Sequence, residues 1–228
     1  MSIILAIDTS NAYCSVAVNC HGEIATRRSS DVRQHARQLL PMIQELLIEQ
    51  ALSITDLDAV AFVSGPGSFT GLRIGTGVAQ GLAFAAGLPV LPVSSLAVMA
   101  ARALQGSAVE RAFVSLLARE GEIYAALYRR EDGDVQLEGE ESVGPVSAFL
   151  SRLQAQESGS CLVGDVALIE DAAQQAGLAL PQMVRVPDCP SDAAVLSQLA
   201  VVRLAHGMAV EPHQAQPVYV KDQMDYRE

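Results

Sequence analysis

One order of elements is written twice within these 228 residues, and that repeat limits the folds open to the chain more than any other feature. Residues 3–9 form an apolar run that reads as a buried strand, and residues 15–19 and 23–27 read as a hairpin across His21 and Gly22. The period then changes: Leu39, Leu40, Ile43, Leu46 and Leu47 recur at helical spacing from residue 36, with Pro41 beginning or kinking a turn inside the stretch. A strand at 59–63, a helix at about 71–86, a strand at 89–93 and a helix from Ser94 or Ser95 complete the order βββαβαβα. The second half gives strands at 112–117, 122–128 and 135–140, then a helix opening at 145–147. A strand at 161–163, a helix at 166–176, a strand at 183–186 and a helix from Ser191 or Asp192 follow.

Such a repeat predicts an α/β chain of two similar lobes, residues 1–106 and 107–228, with the last residues free to return to the first lobe. Each series resembles the ribonuclease-H-like unit that actin, sugar kinases and the Hsp70 ATPase use in tandem. One continuous α/β sheet is the competing arrangement. Either way the resemblance speaks of fold and leaves chemistry to the site.

Charge narrows the partners. The net charge is −11, and it is uneven: residues 1–106 carry six basic and seven acidic side chains, residues 107–228 nine basic and nineteen acidic. No basic stripe able to displace counterions from phosphates is present, so any RNA is expected to be held mainly by another chain. No apolar run approaches the ~20 residues of a membrane-spanning helix, and the start lacks the basic opening and cleavage site of a signal peptide, so the expected compartment is the cytoplasm. Cys14, Cys20, Cys161 and Cys189 show no CxxC pair, which favours free thiols over a disulfide framework or a zinc site.

Two stretches carry the candidate chemistry. Asp8-Thr9-Ser10-Asn11 ends the first strand, where Asp8 suits either a hydrated magnesium ion or a cap on the backbone N–H groups of a tight turn. The matching turn of the second half, residues 117–122, holds Glu120 and Glu122, which would repel a nucleotide's phosphates. The other stretch, residues 64–77, contains Gly65, Gly67, Ser68, Phe69, Thr70, Gly71, Arg73, Gly75 and Gly77 between a strand and a helix. Free N–H groups at such a helix start attract anions, yet the run has neither the Lys-Ser/Thr of a Walker loop nor GxGxxG.

The glycines continue into the helix on two stripes, Gly71, Gly75 and Ala79 on one, Gly77, Gly81 and Ala85 on the other. Each interior Gly costs roughly 0.5–1 kcal/mol relative to Ala, so close packing must offset the loss. The helix can pack closely on its own sheet or against a second chain, and two stripes on different faces point to a second helical neighbour. Catalytic groupings are sparse. His21, His35, His206 and His213 form no i, i+4 pair, Ser68 lacks a GxSxG elbow, and Glu120/Glu122 and Glu140/Glu141 read as solvated faces.

Residues 64–77, followed by Gly81-Leu82-Ala83 and by residues 88–96, closely resemble the TsaB (YeaZ) family. The likeness extends over residues 5–10, the stretch from His35 to Pro41, residues 121–124 and residues 217–220. It implies a bacterial subunit that pairs with the related catalytic subunit TsaD and works with the ATPase TsaE. Together these transfer a threonylcarbamoyl group from its adenylate to N6 of the adenosine beside the tRNA anticodon. The resemblance assigns partner binding to the helix from His35 with Leu39 and to Gly71, Arg73, Gly75, Gly77 and Gly81, and a homodimer on the same face when the chain is alone. Asp8, Thr9 and Ser10 would then be a vestigial cofactor site, with ATP or ADP bound weakly or at the partner interface, no metal, and tRNA engaged only indirectly. The catalytic relative carries a histidine pair after its fifth strand, where this chain reads 93–99 without histidine. Leu117 and Glu120 depart from the family pattern of Asp and Met. An independent actin-like ATPase or small-molecule kinase is the alternative, and a peptidase using Ser68 is disfavoured by the missing histidines.

Overall fold

The fold is that of a computed structural model, which describes residues 2–30, 35–156 and 159–220, the side chains of His35 and Ala36 excepted. Five strands form the first sheet in the order β3-β2-β1-β4-β5: β1 is Ile3–Asp8, β2 Cys14–Cys20, β3 Glu23–Ser29, β4 Ala59–Gly65 and β5 Val90–Ser94. The β1/β2 and β2/β3 pairs are antiparallel, the β1/β4 and β4/β5 pairs parallel. A second sheet repeats this arrangement as β8-β7-β6-β9-β10, with β6 Arg111–Arg119, β7 Glu122–Glu131, β8 Asp134–Pro145, β9 Ser160–Gly164 and β10 Val184–Pro187. Its β6/β7 and β7/β8 pairs are antiparallel and its β6/β9 and β9/β10 pairs parallel, so the two copies seen in the sequence are two copies of one topology.

Two units result, Met1–Val98 with Ser191–Val218, and a second built on Met99–Pro190. The sequence division falls at residue 106. The observed one falls within helix α3 (Ser95–Leu104), and the return to the first unit begins at Ser191. The reason is packing. Helix α6 (Ala193–Ala205), capped by Asp192 accepting from the Val195 N–H, lies against β1, β2 and β4.

Strand alternation decides what each face of the first sheet meets. Leu5, Ile7, Val16, Val18, Val60 and Phe62 join one cluster with Leu39, Ile43 and Leu46 of α1 (His35–Glu49) and Ala79 and Ala83 of α2 (Phe69–Ala86). The even positions of β1, Ile4, Ala6 and Asp8, point to the opposite face, which α6 covers; the small Ala6, Ala17 and Ala61 let that helix approach. Helix α1 runs unbroken through Pro41, which is exposed, so the ring faces solvent rather than the sheet. Residues 210–218 return along the edge. Val210 bridges Val90 beside β5, Pro212 accepts from Gln80 Nε2 at 3.0 Å, and the Val218 N–H donates to Ser64 at 2.7 Å.

In the second unit Phe113, Ile123, Leu162 and Ala125 form a core with Phe149, Leu150 and Leu153 of α4 (Val146–Gln154) and Ile169 and Ala173 of α5 (Val166–Gln175). Strand β8 is longer than the expected 135–140 because a bulge at residues 139–141 hides its continuation. Among the described residues no helix is long and apolar enough to cross a membrane.

Candidate functional site: a closed turn and an open helix face

The β1–β2 turn places Asp8, Thr9 and Ser10 together, and all three side chains are committed inside the first unit. Asp8 is 0 % exposed. Its Oδ1 accepts from the Ser10 N–H at 2.9 Å and the Ser10 hydroxyl at 2.7 Å. Its Oδ2 accepts from the Ser191 hydroxyl at 2.6 Å and from Asn11 Nδ2 at 3.5 Å. Burial pushes the Asp8 carboxyl above the usual aspartate range, against the pull of those hydrogen bonds. With both oxygens saturated by the chain's own donors, Asp8 fits the capping role and does not fit that of a magnesium ligand. Among the described residues no three His, Cys, Asp or Glu side chains gather to hold a metal ion.

Thr9 and Ser10 are engaged through the glycine run. The Thr9 hydroxyl donates to the Gly71 carbonyl at 2.7 Å, and the Ser68 N–H donates to the Ser10 carbonyl at 2.7 Å. A Cβ on Gly67 would lie 2.4 Å from the Ser10 carbonyl oxygen, one on Gly71 1.9 Å from that of Thr9, and one on Gly75 2.4 Å from Thr9 Oγ1. Gly65 faces the Val218 carbonyl in the same way, at 2.5 Å. These four glycines therefore let α2 and the loop before it lie directly on the β1–β2 turn and the returning chain. Ser68 caps α2 by accepting from the Gly71 N–H at 3.3 Å, so one of the donors an anion would use already has a partner.

Gly71 and Gly75, expected among the partner-binding residues, are thus covered from within their own unit. Leu39 is 0 % exposed in the core, because its position on α1 faces the sheet. His35 opens α1, but its side chain lies outside the described residues. Gly77 and Gly81 differ. Among the described residues a Cβ on either would meet nothing within 4 Å. They continue a stripe of α2 at four-residue spacing, Phe69, Arg73, Gly77, Gly81 and Ala85, all exposed, with the Arg73 guanidinium 3.4 Å from the centroid of the Phe69 ring. Thr70 is exposed beside it. Phe84, 79 % exposed, adjoins this stripe, and the neighbouring α1 presents Leu40 at 50 % and Ile48 at 68 %. Sequence reasoning missed Phe84 and Ile48. The available signal was apolar residues lying off the core-facing positions of both helices.

A βββαβα order repeated in two mixed sheets, with the carboxylate turn of the first closed by its own serines, defines the class: an α/β protein of tandem ribonuclease-H-like lobes in the actin-like fold. The family model described as "TsaD: tRNA N6-adenosine threonylcarbamoyltransferase" matches residues 27–188. The tRNA threonylcarbamoyladenosine biosynthesis protein TsaB of Escherichia coli (strain K12) is 33 % identical over 98 % of this chain and 96 % of its own length. The crystal structure of an uncharacterized protein with similarity to peptidase YEAZ from Pseudomonas aeruginosa superimposes with a TM-score of 0.86 at 36 % identity, covering 97 % of this chain and 100 % of that one. YeaZ from Pseudomonas aeruginosa gives 0.80 at 35 % identity, covering 96 % and 100 %. The chain belongs to the TsaB (YeaZ) family, whose named members serve tRNA threonylcarbamoyladenosine biosynthesis.

Proposed function

We propose that this chain is a non-catalytic subunit of the complex that transfers a threonylcarbamoyl group to N6 of the adenosine next to the tRNA anticodon. It binds and activates a TsaD-type catalytic subunit, works with a TsaE-type ATPase in the cytoplasm, and engages tRNA only through those partners. The observation that carries this reading is the open stripe of α2. Two interior glycines sit where no other described residue comes within 4 Å of a Cβ built on them, next to a Phe that is 79 % exposed. Glycine there destabilises the isolated helix and removes bulk to no internal benefit, which a closely docked partner helix would explain. Burying Phe84 at such a contact contributes about 1.5–3 kcal/mol. Leu40 and Ile48 are also exposed, on α1, which contacts α2, and the α2 surface forms a homodimer when the catalytic subunit is absent.

An accessory role also accords with the closed carboxylate turn. An independent ATPase or kinase would need Asp8 free to meet a magnesium nucleotide, and its oxygens are occupied by Ser10, Asn11 and Ser191. The test is association by size exclusion with light scattering, using Gly81→Trp and Phe84→Glu. Both variants are expected to keep the melting temperature of the isolated chain and to lose the complex and the homodimer. Unchanged association in both would overturn the reading, as would tight magnesium-ATP binding by the isolated chain in calorimetry.

A further inference from the structure

Strand β3 is an edge of the first sheet, hydrogen-bonded to β2 alone among the described residues. Its ladder is unbroken, running from Glu23 opposite Cys20 to Ser29 opposite Cys14. The outer side of the strand therefore keeps regular backbone spacing, with a row of N–H and C=O groups that no further strand takes up among the described residues. Helices α1 and α6 contact β3 from the two faces of the sheet.

Charge at one end of this edge is unlike that of the rest of the chain. Four of the six basic side chains of residues 1–106, Arg27, Arg28, Arg33 and Arg37, fall between positions 27 and 37, a stretch with one acidic side chain, Asp31. Arg27 is paired with Glu49 of α1. Arg28 and Arg37, both exposed, form no ion pair among the described residues. The Arg28 guanidinium lies 3.3 Å from the centroid of the half-buried Tyr13 ring, which holds the cation beside the open edge. Ser29 donates to Gln38, so the end of β3 lies against the start of α1, where Arg37 is presented. Glu23 does not cancel this charge. It is five residues from Arg28 along an extended strand, about 17 Å, and alternation sends it to the other face. Exposed charges that far apart are screened at physiological salt, where the Debye length is about 8 Å.

We propose that β3 takes up an extended acidic segment of a partner protein as a further strand of the first sheet. Backbone hydrogen bonds along the edge supply affinity, and alternate side chains supply specificity. Carboxylates at alternate positions fall on the face of Arg28, whose guanidinium takes one of them as a charge-assisted pair. The intervening side chains fall on the α1 face, beside Ala25 and the Arg27–Glu49 pair, and are small or apolar. Arg37 attracts the segment at the end of the edge. An RNA backbone fits less well, because its affinity comes from neutralising many phosphates and this edge offers two uncommitted guanidiniums. Neither β3 nor Tyr13 belongs to the α2 stripe, and the inference stands whether or not the proposed function does.

Fluorescence anisotropy of the full chain with a labelled, end-capped Glu-Val-Glu-Val-Glu-Val peptide tests it. Saturable binding below about 1 mM is expected. Lys-Val-Lys-Val-Lys-Val is expected to bind at least ~10-fold more weakly, and so is the acidic peptide N-methylated at every residue, which cannot donate to the edge. Arg28→Gln is expected to weaken the acidic peptide at least ~10-fold with the melting temperature unchanged, and Arg37→Gln to weaken it less. Undiminished binding by Arg28→Gln, or of the N-methylated peptide, would overturn the proposal. Tighter binding of a single-stranded uridine oligonucleotide, or no binding of the acidic peptide at about 1 mM, would overturn it as well. A homodimer that Arg28→Gln dissociates would assign the edge to a second copy of the chain, with the same consequence.

Discussion

Thr9 holds Gly71 at both ends of one contact: its hydroxyl donates to the Gly71 carbonyl at 2.7 Å, while its own carbonyl oxygen occupies the place, 1.9 Å away, where a Cβ on Gly71 would sit. Gly75 meets the same threonine at 2.4 Å, whereas Gly77 and Gly81 meet nothing within 4 Å. Alanine should therefore act with opposite sign on the two stripes. Gly71→Ala and Gly75→Ala should lose about 1–3 kcal/mol by overpacking. Gly77→Ala and Gly81→Ala should gain roughly 0.5–1 kcal/mol in the isolated chain. Urea unfolding midpoints of the four variants decide it, and four losses of equal size would refute the distinction.

The buried Asp8 makes stability depend on pH in a direction opposite to that of a salt-bridged carboxylate. Burial raises its folded pKa above the ordinary 3.8. Its contribution is fully present below that ordinary value and is lost as pH rises through the raised folded one. Wild type should thus compare best with Asp8→Asn in acid, and the difference should move in favour of the variant toward neutral pH. Paired denaturant titrations from acid to neutral pH give the sign; a difference moving the other way contradicts it.

Thiol reactivity should divide the four cysteines. Burial pushes the Cys14 thiol up to about 12, aided by the neighbouring Asp8, and burial pushes Cys161 up to about 11. Cys189 is buried and Cys20 half-buried. A chromogenic disulfide reagent at neutral pH should modify Cys20 first and the others only with unfolding, since the thiolate is the nucleophile. Rapid labelling of Cys14 in the native protein, read by peptide mapping, would show that the turn opens.

Thr76 carries a buried hydroxyl with no hydrogen-bond partner among the described residues, on α2 next to Gly75. Replacing it by the nearly isosteric Val removes an unsatisfied polar group without opening a cavity. Thr76→Val should raise stability by about 1 kcal/mol, measured as a higher urea midpoint with unchanged slope. A loss of similar size would mean that the hydroxyl has a function in the folded chain.

Much of the fold was legible because it is written locally. Apolar runs and changes of period identify β1 to β7 and the helices that follow them, and His21-Gly22 marks its hairpin turn. Where a strand departs from its own period the reading stops short, as it does for β8, whose bulge at Gly139 interrupts the alternation. The candidate site was legible only in part. The glycine stripes are visible as spacing, but spacing treats Gly75 and Gly77 alike, and helical periodicity placed Leu39 and Leu40 in one apolar set although one is buried and the other half exposed.

By itself, then, the amino-acid order determined the duplicated βββαβαβα pattern, the absence of a histidine pair after β5, and the small-residue surface of α2. Those properties follow from backbone period and residue type within a few neighbours. Tertiary structure alone decided that Thr9 covers one glycine stripe and leaves the other open, that α6 rejoins the first sheet, and that Ser191 closes Asp8. Each of these depends on groups far apart in the chain, 62 residues for Thr9 and Gly71 and 183 for Asp8 and Ser191, and only the packed sheet brings them within bonding distance.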